Sequence, residues 1–143
     1  MRKVFVLNGP NLNLLGSREL EVYGRDTLDD IADALVTQAK GLGVELDVRQ
    51  SNHEGHLIDW LHEAARSGAQ AVILNAGGFT HTSVALRDAI AAVVTPVIEV
   101  HLSNPAARES FRRRSLVSGV CRGTISGFGS LSYSLALDAA ARL

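Results

Sequence analysis

Glu99 stands two residues before His101, so in an extended segment both side chains leave the same face. An otherwise apolar strand rarely carries an unpaired carboxylate, and a Glu–His pair suited to proton transfer is the economical reading. A backbone carbonyl could satisfy His101 alone; its polar neighbours argue against that simpler view. Gly77-Gly78 runs into Thr80-His81-Thr82. Those residues could simply turn and cap a helix, yet paired glycines also let a ligand approach backbone donors. Tyr23 before Gly24 reads as an exposed turn tyrosine until Arg18 and Arg25, in the same stretch, are counted as its electrostatic neighbours. Arg112-Arg113-Arg114, with Arg108 a turn earlier, is either a solvated helical face or a source of one arginine that fixes an anion or hydroxyl pair. We favour one arginine reaching in, with the others on the surface. His53-Glu-Gly-His56 resembles a metal pair but has no evident third ligand, and no metal is assigned. Cys121, the only cysteine, reads as core in an apolar strand.

Positioning these groups takes an alternating fold. Short apolar runs predict strands over Lys3–Asn8, Val44–Gln50, Ala71–Asn75, Val97–Leu102 and Val120–Ser126. Helical periodicity predicts helices over Leu28–Leu42, Gly55–Ser67, Ser83–Val94 and Ser130–Arg142, the first with Thr27 as N-cap. Three of the strands are apolar along their length, as strands covered on both faces should be. The alternation implies right-handed crossovers and an α/β, flavodoxin-like, three-layer fold. We expect a five-stranded parallel sheet in the order 2-1-3-4-5. Ligands of such sheets bind beyond the carboxyl ends of the strands, where Asn8, Asn75 and the Glu99–Asn104 segment converge. One connection is anomalous. Gly9 to Asp26 is eighteen residues with no helix or strand pattern, and it reads as a lid over a single domain of residues 1–143, with Gly16 and Gly24 as hinges.

The composition narrows the chemistry. A net charge of −1 over 143 residues leaves no field for gathering nucleic acid. The apolar run Val4–Leu7 is too short for a signal or a membrane span, which predicts a cytoplasmic protein. There is no phosphate-binding P-loop, no Gly-x-Gly-x-x-Gly after the first strand and no Gly-x-Ser-x-Gly elbow. Apart from Lys3 and Lys40, every cation is arginine.

Together these stretches carry a resemblance that covers essentially the whole chain. Asn8-Gly-Pro-Asn-Leu-Asn-Leu-Leu-Gly16, Arg18-Glu19 with Tyr23-Gly24, Gln50-Ser-Asn-His-Glu-Gly55, Asn75-Ala-Gly-Gly-Phe-Thr-His-Thr-Ser83 and Glu99-Val-His-Leu-Ser-Asn104 resemble the type II 3-dehydroquinate dehydratases. The resemblance implies cofactor-free loss of water from 3-dehydroquinate to give 3-dehydroshikimate, a shikimate-pathway step toward chorismate and the aromatic amino acids. It implies Tyr23 as base, Asn11 holding a water against the enolate oxygen, and His101 as acid oriented by Glu99. An ordinary phenol, of pKa about 10, is protonated near neutrality. Arg18 and Arg112 are the cations expected to favour its ionised form. Asn75, Leu102 and Ser103 match the family's carboxylate site, and His81 and Arg112 its contacts to ring hydroxyls. Asp88 matches a residue reached from a neighbouring subunit, which implies a homododecamer built from trimers. The lysine-imine mechanism of the unrelated type I enzymes finds no lysine near the crevice. Leu20 stands where the family usually has proline, Arg113-Arg114 where Arg-His or His-His is common, and Ser130-Leu-Ser-Tyr133 where small residues open the last helix. These departures bear on the lid and on subunit packing. A flavodoxin-like module without catalysis is the alternative, although Trp60 and two tyrosines offer few aromatics to sandwich a flavin.

Overall fold

The computed structural model describes residues 1–143. The strands are β1 (Arg2–Asn8), β2 (Val44–Gln50), β3 (Ala71–Asn75), β4 (Val97–His101) and β5 (Gly123–Ser126), all parallel, in the order β2-β1-β3-β4-β5. The helices are α1 (Leu20–Tyr23), α2 (Leu28–Leu42), α3 (Glu54–Arg66), α4 (Val84–Ala92) and α5 (Leu131–Ala140). The predicted sheet order is the observed one.

Side-chain alternation along the central strands sorts the core into two layers. Val4, Val6, Ile73, Ile98 and Val100 face Leu35, Tyr133 and Leu137 of α2 and α5. Phe5, Leu7, Val72, Leu74 and Val97 face Leu57, Leu61, Leu86 and Ile90 of α3 and α4. All five residues of β3 and of β4 are buried, which is why both read as continuous apolar runs. Glu99 and His101 occupy the parity of Val97 and so emerge on the α3/α4 side of the sheet. None of the helices is long and apolar enough to cross a membrane.

Local signals set the helix ends. Thr27 and Asp30 form a capping box at the start of α2, a device contributing about 1 kcal/mol, and Gly43 closes that helix in a left-handed conformation. At the other end of β1 the loops after β1 and β3 cross at close quarters. A Cβ on Gly9 would lie 2.6 Å from the carbonyl oxygen of Ala76, and Gly77 has φ +57° with Pro10 O 3.1 Å from where its Cβ would be. Only glycine fits both places.

Three expectations need correction. The segment between β1 and α2 is not free of helix: Leu12–Leu14 forms a 3-10 turn and Leu20–Tyr23 a single α-helical turn, both too short to leave a periodic pattern. The fifth strand begins at Gly123, because Ser118–Val120 is a 3-10 turn and the ladder starts only where Arg122 N–H donates to Val97 O at 2.7 Å. Cys121 therefore precedes the strand, half-buried against the α3/α4 core. The arginine run is not a helical face either: Pro105–Ala107 and Ser110–Arg112 are separate 3-10 turns that change the direction in which each arginine points.

Candidate active site

The sheet order reverses between β1 and β3, and a cavity of about 130 Å³ opens at the carboxyl ends of those strands and of β4. Asn11, Arg18 and Tyr23 enter it from the segment after β1, Asn75 and His81 from β3 and its following turn, and His101, Leu102 and Ser103 from β4. Arg112 completes the predicted set, and Arg108 joins it without having been singled out for the site. Glu99 stands behind His101 rather than in the cavity. Asp88 lies exposed on α4, outside this chain's own cavity.

Tyr23 ends α1 with its hydroxyl held by two guanidinium groups. Arg108 Nη1 donates to it at 2.9 Å and Arg18 Nη2 at 3.3 Å. Both cations also sit over the ring, 4.6 Å from its centroid for Arg18 and 5.1 Å for Arg108. Two guanidinium groups thus converge as charge-assisted donors on one phenol oxygen. The expected second cation was Arg112; the structure assigns that place to Arg108, while Arg112 Nε turns to Glu109 at 3.1 Å. Arg108 reaches Tyr23 across 85 residues of sequence, because the turn at Pro105–Ala107 aims it back over Ser103. Nothing in the local spacing of the arginines carries that information.

On the β4 side, His101 Nε2–H donates to Glu99 Oε2 at 2.5 Å, with Glu99 only 1% and His101 8% exposed. This is the pair the i, i+2 spacing predicts. Burial works against a charge on Glu99, but hydrogen bonds from His101, Ser118 and Ser115 outweigh it and hold the carboxyl below its ordinary range. Because Nε2 is committed to Glu99, Nδ1 is the ring nitrogen left for a ligand. His81 is fixed the other way round, its Nδ1–H donating to Arg114 O at 2.8 Å and leaving Nε2 for the cavity.

The floor of the cavity is a buried relay. Asn75 Nδ2 donates to Tyr133 Oη at 2.9 Å, and Tyr133 donates in turn to Asn8 Oδ1 at 2.6 Å. Asn75 Oδ1 accepts Gly77 N–H at 3.2 Å, so the amide cannot flip and its remaining N–H is free for an anion. Burial pushes the Tyr133 phenol above its usual range, and it stays a neutral donor. Asn11 adopts a left-handed backbone, φ 68°, with its carbonyl accepting Arg18 Nη1 at 3.4 Å.

Other reactive groups are accounted for elsewhere. Burial pushes the Cys121 thiol up to about 12, with the charge of Glu99 adding to the effect, so it is a protonated side chain and not a nucleophile. His56 Nδ1 pairs with Ser51 Oγ at 2.7 Å and its ring lies 5.9 Å from Trp60, at the start of α3. Lys3 sits at the amino end of β1, 3.7 Å from Asp47, and Lys40 is exposed late in α2. Neither lysine is near the cavity.

A phenol gripped by two guanidinium groups and a carboxylate-locked imidazole, at the switch point of a parallel sheet, bring together in one α/β cavity the group types that general acid–base chemistry uses. Residues 2–141 match the family Dehydroquinase class II. The chain is 57% identical over 142 residues to the 3-dehydroquinate dehydratase of Phenylobacterium zucineum (strain HLK1), covering 99% of this chain and 97% of that protein. Among solved structures, it superposes on the type II dehydroquinase of Propionibacterium acnes with a TM-score of 0.96 at 43% identity, covering 100% and 98% of the two chains. The type II dehydroquinase of Butyrivibrio crossotus DSM 2876 gives a TM-score of 0.95 at 41% identity, with 97% of each chain covered. The chain belongs to the class II dehydroquinase family and is a hydro-lyase. A non-catalytic flavodoxin-like role is thereby set aside.

Proposed function

We propose that this chain dehydrates 3-dehydroquinate to 3-dehydroshikimate in the shikimate pathway, with Tyr23 as the base and His101 as the acid. The observation that carries the reading is the pairing of a phenol gripped by two arginines with an imidazole locked by Glu99, both lining one cavity. Removing water from a β-hydroxy ketone needs a base for the proton beside the carbonyl, a donor for the enolate oxygen and an acid for the departing hydroxyl. Tyr23 as phenolate takes the C–H proton, and the electron pair moves into the enolate, whose oxygen is met by a water oriented by Asn11. The enolate then reforms the carbonyl as the C–O bond breaks. His101 Nδ1–H protonates the leaving hydroxyl, and water departs. The residues present complete this sequence with no cofactor or metal.

Binding falls to the rest of the cavity. Asn75, with the backbone of Leu102 and Ser103, takes the substrate carboxylate, while His81 and Arg112 contact the ring hydroxyls. Asp88, exposed on α4, serves a neighbouring subunit's site in a homododecamer of trimers. The domain works as one unit in the cytoplasm, with residues 9–26 as its lid. Mixing metal-free protein with 3-dehydroquinate and following the ultraviolet absorbance of the conjugated enone tests the reading. Turnover that survives chelators and borohydride is expected; absence of the enone would overturn it.

A further inference from the structure

Glu99 does more than face His101. Its carboxylate also accepts hydrogen bonds from Ser115 Oγ at 3.0 Å, from Thr124 Oγ1 at 3.2 Å and, on Oε1, from Ser118 Oγ. With His101 that makes four donors, about as many as a carboxylate has lone-pair sites. The hydroxyls come from two separate places, the turn after the arginine run and the first residues of β5, and they converge on a side chain that is almost wholly buried. Ser115 is itself held in place, accepting the backbone N–H groups of Val117 and Ser118 at 3.2 and 3.0 Å. Burial alone calls for this saturation; its further consequence is that three fixed hydroxyl dipoles set the field felt by the imidazole beside Glu99.

We propose that Ser115, Ser118 and Thr124 are positioning residues that set the strength of His101 as an acid by stabilising Glu99 at the moment the proton is handed on. The inference rests on the assignment of His101 as the acid. When Nδ1–H protonates the leaving hydroxyl, the N–H electron pair stays on Nδ1 and the pair passes from neutral overall to one negative charge. That charge resides on Glu99. Before transfer the imidazolium already compensates the carboxylate, and the hydroxyl dipoles that help Glu99 oppose the nearby cation. After transfer the dipoles act on an uncompensated anion. The cage therefore stabilises the state after donation more than the state before it, which lowers the barrier to releasing water.

Other charged groups around the pair stay constant in the test. From the rear these are Cys121, His81, Arg112 and Arg113; across the cavity they are Tyr23, Arg18 and Arg108. Ser118→Ala is the cleanest variant, because the Ser118 hydroxyl touches only Glu99, and Thr124→Val is nearly isosteric. The expected result for Ser118→Ala is a fall in kcat of about threefold to tenfold with KM within about twofold, since the contact matters only as the proton leaves. NMR of the Glu99 carboxyl and His101 ring in the ligand-free protein should show the pair taking up its proton at a pH about half a unit to one unit higher. Ser118→Thr should restore both quantities, and Ser118→Ala with Thr124→Val should exceed either alone. An unmoved titration in folded variants, or a moved titration with wild-type kcat, overturns the proposal. Full turnover in His101→Ala would instead overturn the assignment of the acid on which it rests.

Discussion

The two halves of the catalytic cavity are built by opposite strategies. The half assigned to the acid is local: Glu99 and His101 come from one buried strand, two residues apart, and the sheet itself fixes both. The half assigned to the base is assembled. Tyr23 and Arg18 ride on a segment of short turns, Arg108 arrives from 85 residues away, and Tyr23 remains partly exposed. Rigid placement suits a proton donor that must hold one tautomer. The proposed base, by contrast, depends for its electrostatic surroundings on Arg108 and Arg18 arriving from separate turns.

The largest effects should come from removing the proton carriers. Tyr23→Phe and His101→Ala are each expected to lower kcat about 100-fold or more while leaving the thermal unfolding midpoint within a few degrees. Wild-type turnover in either variant would remove that side chain from its proposed role. A sharper test separates the arginines. Arg108→Met should lower kcat on the order of 10- to 100-fold, because it strips the shorter of the two hydrogen bonds from the Tyr23 oxygen, whereas Arg112→Met should act mainly on KM. Equal kcat losses would mean that the cation of the base is not the one seen here.

The halves should also differ under acid. Glu99 titrates below its ordinary range when folded, so its stabilising contribution is present above the unfolded carboxylate value and is lost as pH falls through the depressed one. Urea unfolding between about pH 6 and pH 3 should fall more steeply for the wild type than for Glu99→Gln, the other carboxylates cancelling in the difference. No extra steepness would show that Glu99 is not held as an anion. The smallest effect belongs to the tie between the segment after β1 and the start of α5, where Ser130 Oγ donates to Asp26 Oδ2 at 2.8 Å. Ser130→Ala should cost under about 1 kcal/mol in stability and change KM by about threefold or less, with faster amide exchange in residues 18–26 as its signature.

What could be read in the sequence follows the same division. The four long helices, the Glu99–His101 pair and the cap at Thr27 rest on local spacings of two, three or four residues, while the sheet order follows from the alternation of apolar runs and helices along the chain. Arg108 escaped because its role depends on how two 3-10 turns rotate the chain between Asn104 and Arg113, and a turn of three residues has no period to detect. The late start of β5 escaped for a related reason: Val120 and Cys121 are apolar enough to extend a strand, but Cys121 N–H is already spent on the carbonyls of Val117 and Ser118. The relay through Tyr133 was invisible as well, since a tyrosine in an apolar helix looks the same whether its hydroxyl meets water or two asparagines.

That relay bears on how the protein matures. The bond from Tyr133 to Asn8 joins residues 125 apart, so the amides of Asn8 and Asn75 gain their shared partner only when the last helix packs against the sheet. Asn75 Oδ1 already accepts Gly77 N–H and Asn8 Nδ2 already donates to Arg49 O, so only the Asn8 oxygen and one Asn75 N–H wait for the Tyr133 hydroxyl. Docking of α5 thus does two things at once, closing the core layer beneath β3 and β4 and delivering the one hydroxyl that ties Asn8 to Asn75.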